Sequence, residues 1–401
     1  MAISSGKKKI YVVIGANYGD EGKGVMTDYL TRLSNETDGF DPNHKCLNVL
    51  TNGGSQRGHT VITPNRERHI FRHFGSGTFA GADTYIPQTF IANPMNFCNE
   101  MWNSTFPTSR KVYIHPQCMV STPYDMMANQ IIEDARGDQR HSSCGVGIWE
   151  TIYRGGITAE KLFSMSDRET ESYLKTVREY YMDKRFKEKG IQFPDKWRWL
   201  FFSEPLMKAY IDSIGTMREM TMMFGSIVLH DMRNSVIFEN GQGLCLDQSG
   251  DYLTVYEGHL STPSYTGLRI PSEMIHKEFT DDEVDVTVVY VTRTYLTRHG
   301  KGWLPHPMTA EEAYDLGIRP DWTNGWNHYQ GDFRYAHLNV KALNRRISQD
   351  FEKYSGKGWK KQVAVTHLDE IPIEAVSGIE DVAYLVRNGT VTALTDRTSV
   401  E

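Results

Sequence analysis

The feature that most constrains the fold of this chain is a glycine-dense loop within residues 7–24, KKKIYVVIGANYGDEGKG. Residues 10–14, before the loop, form a short apolar and β-branched run that predicts a buried strand. Residues 25–30, after the loop, have helical spacing. A strand, a glycine loop and a helix in this order direct backbone N–H groups and a helix N-terminus at a phosphate group. The stretch therefore predicts an α/β unit that binds phosphate.

The charged residues of this loop favour chemistry beyond phosphate binding. Lys23 stands where a phosphate-binding lysine would, but the loop is not a Walker A sequence, because Gly24 occupies the position that requires Ser or Thr. Asp20 and Glu21 would repel phosphate unless a metal ion binds there or one of them acts as a base. An ordinary strand-to-helix turn with solvated acids is the alternative that the loop alone leaves open.

Length and composition narrow the classes of protein to consider. The 401 residues can bury a large core, as one α/β domain or as two smaller ones. A net charge of −6 argues against a nucleic-acid partner bound by bulk charge. The five cysteines include no CxxC pair, which indicates reduced thiols rather than disulfides or a zinc site. Since no apolar run approaches a membrane span, we expect a cytoplasmic protein with no membrane partner.

Several predicted strands end in polar loops. Four strands are predicted beyond the first, at residues 45–50, 235–238, 284–292 and 362–365. The loop after residue 50 carries His59, for which a catalytic and a structural role are about equally good interpretations. The loop after residue 365 carries Asp369, which can accept from the N1 and N2 hydrogens of guanine or, alternatively, cap a helix. Because ligands of open α/β sheets collect at the carboxyl ends of strands, these loops predict a nucleotide-dependent enzyme.

The middle of the chain has a different character. It predicts a helical insertion at about residues 151–230, within a single domain that spans residues 1–401. Ser166 and Glu169 form a capping box at the start of a helical pattern. The expected core of the insertion is the aromatic cluster Trp197, Trp199, Phe201 and Phe202.

A set of motifs that spans nearly the whole chain resembles the adenylosuccinate synthetase family, in the order that the family has. The most specific are YGDEGKG at residues 18–24 and GHT at residues 58–60. The others lie at residues 53–54, 73–77, 142–147 (SSCGVG), 239–243 (ENGQG), 295–302, 366–369 (THLD) and 396–397. The resemblance implies an α/β fold with a large, mostly parallel central sheet, a P-loop-like phosphate-binding loop and helical insertions.

The resemblance implies a carbon–nitrogen ligase that joins L-aspartate to C6 of a purine nucleoside monophosphate. Hydrolysis of GTP or ATP drives the reaction, and a 6-phosphoryl intermediate precedes attack by the aspartate amine. Asp20 resembles the family's general base and Mg²⁺ ligand, with the backbone carbonyl of Gly58 as a second ligand. His59 resembles the family's acid, which stabilises charge on the reacting oxygen.

The resemblance also implies three sets of binding residues and a homodimer. The triphosphate is assigned to Gly19, Glu21, Gly22, Lys23, Gly24, Gly58, Thr60 and Asp369. The purine monophosphate is assigned to Gln56, Arg57, Ser142, Ser143, Arg154 and Gln242. Aspartate is assigned to Gln330, Gly331, Asp332 and Arg334. Arg154 is the arginine expected to reach into the partner's site.

Departures from the family pattern bear on the substrate. Gln56 and Arg57 stand where the family usually has Asn-Ala, and Asp332 replaces an arginine that contacts both aspartate and the ribose 2′-hydroxyl. Residues 330–334 and residues 366–369 are more similar to the family's viral branch, which makes 2-amino-N6-succino-2′-deoxyadenylate from dGMP on the route to diaminopurine DNA. That branch commonly has serine at the position where this chain retains Asp20.

These features favour dGMP as the acceptor, with IMP as the alternative, and for a viral source they imply the host cytoplasm. Residues 251–267, which should contact the nucleotide, match neither branch. A GTP-binding regulatory protein is the alternative from another class. Such a protein would have no use for Gln242, Ser142 and His59 around a second nucleotide.

Overall fold

The structure is a computed structural model that describes residues 6–36, 45–105, 110–230, 235–248, 265–320, 326 and 328–394. Residues 396–397 and most of residues 251–267, which were singled out in the sequence, lie outside these ranges. Within the described ranges, no helix has both the length and the apolar character needed to cross a membrane. All five cysteines are free.

The described chain alternates strands and helices. The strands are β1 (Lys8–Gly15), β2 (Leu47–Leu50), β3 (Gly53–Gly54), β4 (His59–Ile62), β5 (Arg68–Phe71), β6 (Asp83–Ile86), β7 (Phe90–Ala92), β8 (Val112–Ile114), β9 (Met119–Val120), β10 (Ile157–Thr158), β11 (Thr221–Met223), β12 (Val236–Gly243), β13 (Val284–Arg293), β14 (Tyr295–His299), β15 (Phe333–His337), β16 (Lys360–Thr366), β17 (Val382–Arg387) and β18 (Thr390–Ala393). The α-helices are α1 (Lys23–Glu36), α2 (Pro94–Trp102), α3 (Pro123–Arg136), α4 (Ile148–Tyr153), α5 (Ala159–Ser164), α6 (Asp167–Thr176), α7 (Met182–Glu188), α8 (Arg198–Phe201), α9 (Glu204–Met220), α10 (Arg269–Glu278), α11 (Ala310–Asp315) and α12 (Val340–Tyr354).

A central sheet of ten strands organises the described residues, in the order β11-β8-β6-β2-β12-β1-β13-β16-β17-β18. Neighbouring strands are parallel except for the hairpin of β17 and β18 at one edge. The prediction of a large, mostly parallel sheet is therefore confirmed. β3, β7, β9 and β10 form a second, small sheet. Two further sheets have two strands each: β4 pairs with β5, and β14 pairs with β15.

The apolar run of β1 is buried on both faces of the sheet. Ile10, Val12 and Ile14 belong to one core cluster. Val13 belongs to the cluster on the opposite face, where it is joined by Met26 of α1. Since successive strand residues point to opposite faces, a continuous apolar run is what a strand between two layers requires. The run thus fixes β1 at the centre of the sheet.

Parallel pairing brings the polar loops to one edge of the sheet. β1 lies between β12 and β13, so that Gly15 is level with Gly243 and with Val291. β2 and β16 pair in parallel with β12 and β13, respectively. The loops that follow β1, β2, β12, β13 and β16 therefore lie together at one edge of the sheet, where the polar loops were predicted to meet.

The region predicted as a helical insertion is mostly helical, but its α-helices end at Met220. α4 to α9 occupy most of the region between residues 148 and 220. Two short strands interrupt or end it: β10 pairs with β9, and β11 adds a parallel edge strand to the central sheet beside β8. Thr221–Met223 of the predicted range thus belong to the sheet rather than to the insertion, and a 3-10 helix at Ser226–His230 ends the range. The capping box of Ser166 and Glu169 forms as predicted.

The predicted aromatic core of this region was wrong for two of its four residues. Phe201 is 3% exposed and packs against the rings of Tyr124 and Phe193. Trp199, by contrast, is 75% exposed and Phe202 is 47% exposed. α8 is only four residues long, and a single turn directs only part of its surface at the core.

Asp350 of α12 gives a prediction about stability and pH. Its carboxylate accepts from the backbone N–H of Leu268 at 3.0 Å and from the Tyr290 hydroxyl at 2.8 Å. Burial, with Asp247 nearby, raises the pKa of the Asp350 carboxyl to about 7. The folded chain therefore keeps a proton that the unfolded chain releases above about pH 4. The stability that the folded chain gains from the protonated Asp350 carboxyl is fully present below about pH 4 and is lost as the pH rises towards 7.

We expect Asp350→Asn, which cannot ionise, to lack this decline. As the pH rises from 5 to 7, the free energy of unfolding of the wild type should fall relative to that of the variant, by at most about 1.4 kcal/mol per pH unit. Urea unfolding at several pH values measures the difference. Glu352→Gln is the matched control, because Glu352 is exposed on the same helix. Parallel pH profiles for Asp350→Asn and the wild type would contradict the prediction.

Candidate functional site

The glycine loop after β1 is held by a buried carboxylate of its own. Glu21 accepts from the backbone N–H groups of Asn17 at 3.1 Å and Gly19 at 2.7 Å. The Lys23 ammonium lies 3.4 Å from the same carboxylate and donates to the Gly19 carbonyl at 2.5 Å. Glu21 and Lys23 are both almost completely buried. The loop therefore has an anion-binding arrangement in which Glu21 occupies the position of the anion.

Glycine is required at two points of this loop. Gly19 has φ 118° and Gly22 has φ 98°, in the region that residues with a side chain rarely adopt. A Cβ on Gly19 would also lie 3.0 Å from the Cα of Gln242. The loop and the end of β12 are thus in close contact, which places Gln242 beside the predicted phosphate site.

Asp20 is fixed through its backbone, and its carboxylate is left open. Arg293, at the end of β13, donates from Nε to the Asp20 carbonyl at 2.5 Å and from Nη1 to the Tyr295 hydroxyl at 2.9 Å. That hydroxyl in turn donates to Glu370, the neighbour of Asp369. No hydrogen bond or ion pair from a described residue engages the Asp20 carboxylate. Sequence reasoning did not assign Arg293 or Glu370 to the site, and it singled out Tyr295 only as the start of the motif at residues 295–302. The contacts of these three residues cross separate loops.

His59, at the start of β4, faces a buried carboxylate on β12. Its Nδ1 lies 2.5 Å from Oε1 of Glu239. Nη2 of Arg57 lies 3.0 Å from the same ring nitrogen and 3.0 Å from Oε2 of Glu239. Ser76 donates to Glu239 from its hydroxyl and from its backbone N–H. We call these four residues the Glu239 cluster. Glu239 lay in a recognised motif, but its partners are distant in sequence and were not predicted.

The charges of the Glu239 cluster are set by burial and by proximity. Burial and the Arg57 cation lower the pKa of His59 to about 4, against the opposing effect of Glu239. Burial alone would raise the pKa of Glu239, but Arg57 and His59 lower it to about 2. At neutral pH His59 is therefore uncharged beside an ionised Glu239. The Nδ1 proton belongs in the bond to the carboxylate, which leaves Nε2 as the open ring nitrogen.

A second polar pocket lies over Gly53. A Cβ there would lie 3.0 Å from Nε2 of Gln56 and 3.9 Å from Oε1 of Gln242. The carbonyl oxygens of both glutamine side chains are buried, and neither has a hydrogen-bond partner within the described ranges. Buried polar atoms are rarely left unpaired. The pocket therefore fits a ligand with hydrogen-bond donors, as a purine base has.

The loops predicted to bind the monophosphate and aspartate are in contact. Ser142 accepts at its hydroxyl from the backbone N–H of Lys301 at 3.1 Å. Ser143 accepts from the Asn129 side chain at 2.9 Å. A Cβ on Gly300 would overlap both Ser142 and the carbonyl of Gln330. The structure thus brings Ser142, Gly300 and Gln330 together, although they are far apart in sequence.

The predicted aspartate residues lie beside a second arginine. Arg334 on β15 is opposite Arg298 on β14 and donates to the Gly302 carbonyl. The Arg298 guanidinium lies 5.0 Å from the centre of the Tyr18 ring, in the glycine loop. Asp332 is exposed, and its carbonyl accepts from the Gly300 N–H at 2.9 Å. Two arginines at one end of the β14–β15 pair of strands can hold a carboxylate, and sequence reasoning assigned only Arg334.

Arg154, at the end of α4, is bound within its own chain. It donates to both carboxylate oxygens of Asp125 at 2.8 Å and to the Tyr173 hydroxyl at 2.5 Å. The contact expected with a partner's site stays a prediction, and this ion pair would have to open for it.

The remaining predicted residues surround the glycine loop. A Cβ on Gly24 would lie 3.0 Å from the Thr60 carbonyl and 3.1 Å from the His59 side chain, so α1 begins against β4. The hydroxyl of Thr366 donates to the Glu21 carbonyl at 2.8 Å, which joins the loop after β16 to the glycine loop. Asp369 in that loop is exposed and accepts at one oxygen from the Asn388 N–H at 2.9 Å.

Asp20 and Gly58 fit a hard cation that is shared with phosphate. In the described part of the chain no group of three or more His, Cys, Asp or Glu side chains could hold a metal ion. Mg²⁺ in phosphoryl-transfer sites needs only one or two protein carboxylates, because phosphate oxygens and water complete its shell. The open Asp20 carboxylate meets that need, and Gly58 is exposed.

Comparisons with known proteins agree on one family. The family profile described as adenylosuccinate synthetase matches residues 12–320. An adenylosuccinate synthetase from Mesoplasma florum is 26% identical over 349 residues, which cover 84% of this chain and 73% of that protein. One from Lactobacillus acidophilus is 24% identical over 75% of this chain. The chain spans about two thirds of the Lactobacillus protein, since the match covers 65% of its length.

Two solved structures share the fold. A fully ligated adenylosuccinate synthetase from Plasmodium falciparum is similar with a TM-score of 0.64 and 18% identity, over 94% of this chain and 79% of that chain. A succinoaminodeoxyadenylate synthetase from cyanophage S-2L, bound to dGMP and to dATP as an energy donor, is similar with a TM-score of 0.61 and 14% identity. That match covers 97% of this chain and 96% of the phage chain.

Proposed function

The chain belongs to the adenylosuccinate synthetase family of carbon–nitrogen ligases, and on that premise we propose that it joins L-aspartate to C6 of a purine nucleoside monophosphate. One observation carries the proposal: the glycine loop packs against two different groups at the same sheet edge. Gly19 contacts Gln242 of the second polar pocket, and Gly24 contacts His59 of the Glu239 cluster. A triphosphate on the loop would therefore lie beside a second nucleotide.

The first step is phosphoryl transfer to the 6-oxo group. The Asp20 carboxylate takes the proton from N1 of the purine, and the electrons of that bond make O6 nucleophilic. O6 then attacks the γ-phosphorus, the bond to the β–γ bridging oxygen breaks, and the nucleoside diphosphate leaves. Lys23 and the loop N–H groups that Glu21 does not engage bind the phosphates, and His59, once protonated on Nε2, donates a hydrogen bond to the reacting oxygen. Asp20 and the Gly58 carbonyl would hold Mg²⁺, which when bound neutralises phosphate charge.

The second step is displacement by aspartate. The aspartate amine attacks C6, the C6–O6 bond breaks, and inorganic phosphate leaves with the former 6-oxo oxygen and takes up the proton that the amine nitrogen loses. Arg298 and Arg334 bind a carboxylate of aspartate, because they lie opposite each other near the end of the β14–β15 pair of strands. The neutral His59 ring donates a hydrogen bond from Nδ1–H to Glu239. It must gain a second proton, on Nε2, before it can donate a hydrogen bond from that nitrogen. The anionic phosphoryl group supplies the negative charge that favours this protonation.

We propose dGMP as the acceptor and GTP or ATP as the phosphate donor. The phage structure that covers nearly all of both chains is described with dGMP, which supports a deoxynucleotide. Asp332, which is exposed, stands where the family has an arginine for the ribose 2′-hydroxyl. The site therefore lacks the arginine that a deoxynucleotide would leave unpaired. Gln56, Ser142, Ser143 and Gln242 are assigned to this nucleotide.

A panel of acceptors tests the proposal. With Mg²⁺, aspartate and GTP or ATP, we expect kcat/KM for dGMP to equal or exceed that for GMP, and both to exceed that for IMP. A site without a partner for the 2′-hydroxyl gives no penalty for its absence. Roughly tenfold preference for IMP over dGMP, about 1.4 kcal/mol, would assign the chain to the IMP branch. Triphosphate binding without any aspartate-dependent turnover would support the regulatory-protein alternative.

Asp20→Asn tests the proposed base. We expect kcat to fall by about 10²–10⁴-fold, because the amide cannot take the N1 proton. Stability should change little, since no described residue pairs with that carboxylate. Asp212→Asn, an exposed acid on α9, is the control and should retain full activity. Near wild-type turnover by Asp20→Asn would rule out its role as base.

We also propose a homodimer in which Arg154 completes the partner's site. Sedimentation velocity should show a dimer, and mixing inactive Asp20→Asn with inactive Arg154→Ala should restore part of the activity. A mixed dimer has one site with both an intact Asp20 and the partner's intact arginine. A fully active monomer, or a dimer that shows no recovery on mixing, would contradict a role in the partner's site and leave Arg154 to its ion pair with Asp125.

A further inference from the structure

The arginine before Gly58 and His59 is a buried part of the Glu239 cluster. The whole Arg57 residue is 3% exposed, and its side chain is fully buried. Its Nη2 is 3.0 Å from Nδ1 of His59 and 3.0 Å from Oε2 of Glu239. Arg57 therefore lies on the Nδ1 side of the imidazole, whereas the open nitrogen of the ring is Nε2.

Glu239 is the shared anchor of this arrangement. One of its oxygens faces the histidine ring, and the other faces the guanidinium and the Ser76 N–H. Four donors thus converge on two oxygens, so the carboxylate has one orientation that pairs them all. Because the carboxylate is fixed, the ring is fixed with its Nδ1 towards Glu239. Removing the arginine would leave a buried carboxylate with less countercharge and more freedom to turn.

We propose that Arg57 is a positioning residue: it acts through Glu239 to hold the imidazole of His59 with Nε2 towards the acceptor nucleotide. The inference rests on the proposed function and deepens it. It replaces the sequence-based expectation that Arg57 binds the purine monophosphate. The comparable arrangement in other enzymes is a carboxylate that orients a catalytic or metal-binding histidine through its second nitrogen. In this chain the Arg57 guanidinium also pairs with that carboxylate.

A direct role in nucleotide binding makes a different prediction. The Nε and Nη1 groups of Arg57 are buried without a partner among the described residues. If these groups bound the nucleotide, their removal would raise KM for the acceptor and leave kcat unchanged. A positioning role affects the step in which charge develops on O6, so its loss lowers kcat.

The kinetic test uses Arg57→Met, which keeps a long side chain without charge, and Arg57→Lys, which keeps the charge. We expect Arg57→Met to lower kcat by about 10–100-fold with little change in KM, and Arg57→Lys to recover part of the loss. Arg185→Met is the matched control, because Arg185 also forms a buried pair, with Glu150, outside the site. A rise in KM alone, or an unchanged kcat per folded molecule, would overturn the inference.

A spectroscopic test does not depend on turnover. In ¹⁵N-histidine-labelled protein we expect a strongly downfield proton on Nδ1 of His59, assigned by its loss in His59→Asn. The signal should also be lost in Glu239→Gln, and it should shift or broaden in Arg57→Met. If Arg57→Met does not fold, Arg57→Gln, which keeps a polar side chain without the charge, takes its place, and a signal identical to that of the wild type would again count against the positioning role.

The two tests separate failure of the inference from failure of the proposed function. A downfield signal that is unchanged in the Arg57 variants would overturn the positioning role, whatever the enzyme acts on. Absence of aspartate-dependent turnover in the wild type would refute the proposed function, while the signal would still report whether Arg57 orients the ring.

Discussion

The arrangement of the site depends on the buried carboxylate of Glu239. It stands near the carboxyl end of β12, beside the central strand, and accepts from groups on two other segments, residues 57–59 and residue 76. An ionised carboxylate in this position is costly to bury unless it is paired and hydrogen-bonded. Its partners meet that requirement, and in doing so they fix the His59 ring against the start of α1. One buried charge thereby ties the sheet to the loop that carries the chemistry.

Basic side chains from later parts of the chain hold the glycine loop in a comparable way. Arg346 of α12 donates to the Ala16 carbonyl at 2.8 Å and to the Asn17 side chain at 2.5 Å. Arg293 donates to the Asp20 carbonyl. A loop with several glycines loses much conformational entropy when it is ordered, so bonds to its carbonyls compensate for flexibility. The same bonds hold the loop in the conformation that leaves the Asp20 carboxylate without a partner among the described residues.

Much of the fold was predictable from sequence, because its signals are local. Apolar runs marked the strands of the parallel sheet, and the glycines around Lys23 marked the phosphate loop. The pairing of His59 with Glu239 was not predictable, since 180 positions separate them and only the strand order brings them together. The same holds for Arg154, whose partner Asp125 lies on another helix. Trp199 was misplaced because composition does not show which side of a single helical turn faces the core.

The central claim is that the 6-oxo oxygen of the acceptor leaves on the phosphate. The most direct measurement supplies the preferred acceptor labelled with ¹⁸O at C6, together with unlabelled triphosphate, Mg²⁺ and aspartate, and analyses the released phosphate by mass spectrometry. If Asp20 activates O6 for attack on the γ-phosphorus, each phosphate formed with product carries the label from C6. Unlabelled phosphate formed alongside the aspartate adduct would show that water attacks the triphosphate, and it would contradict the account.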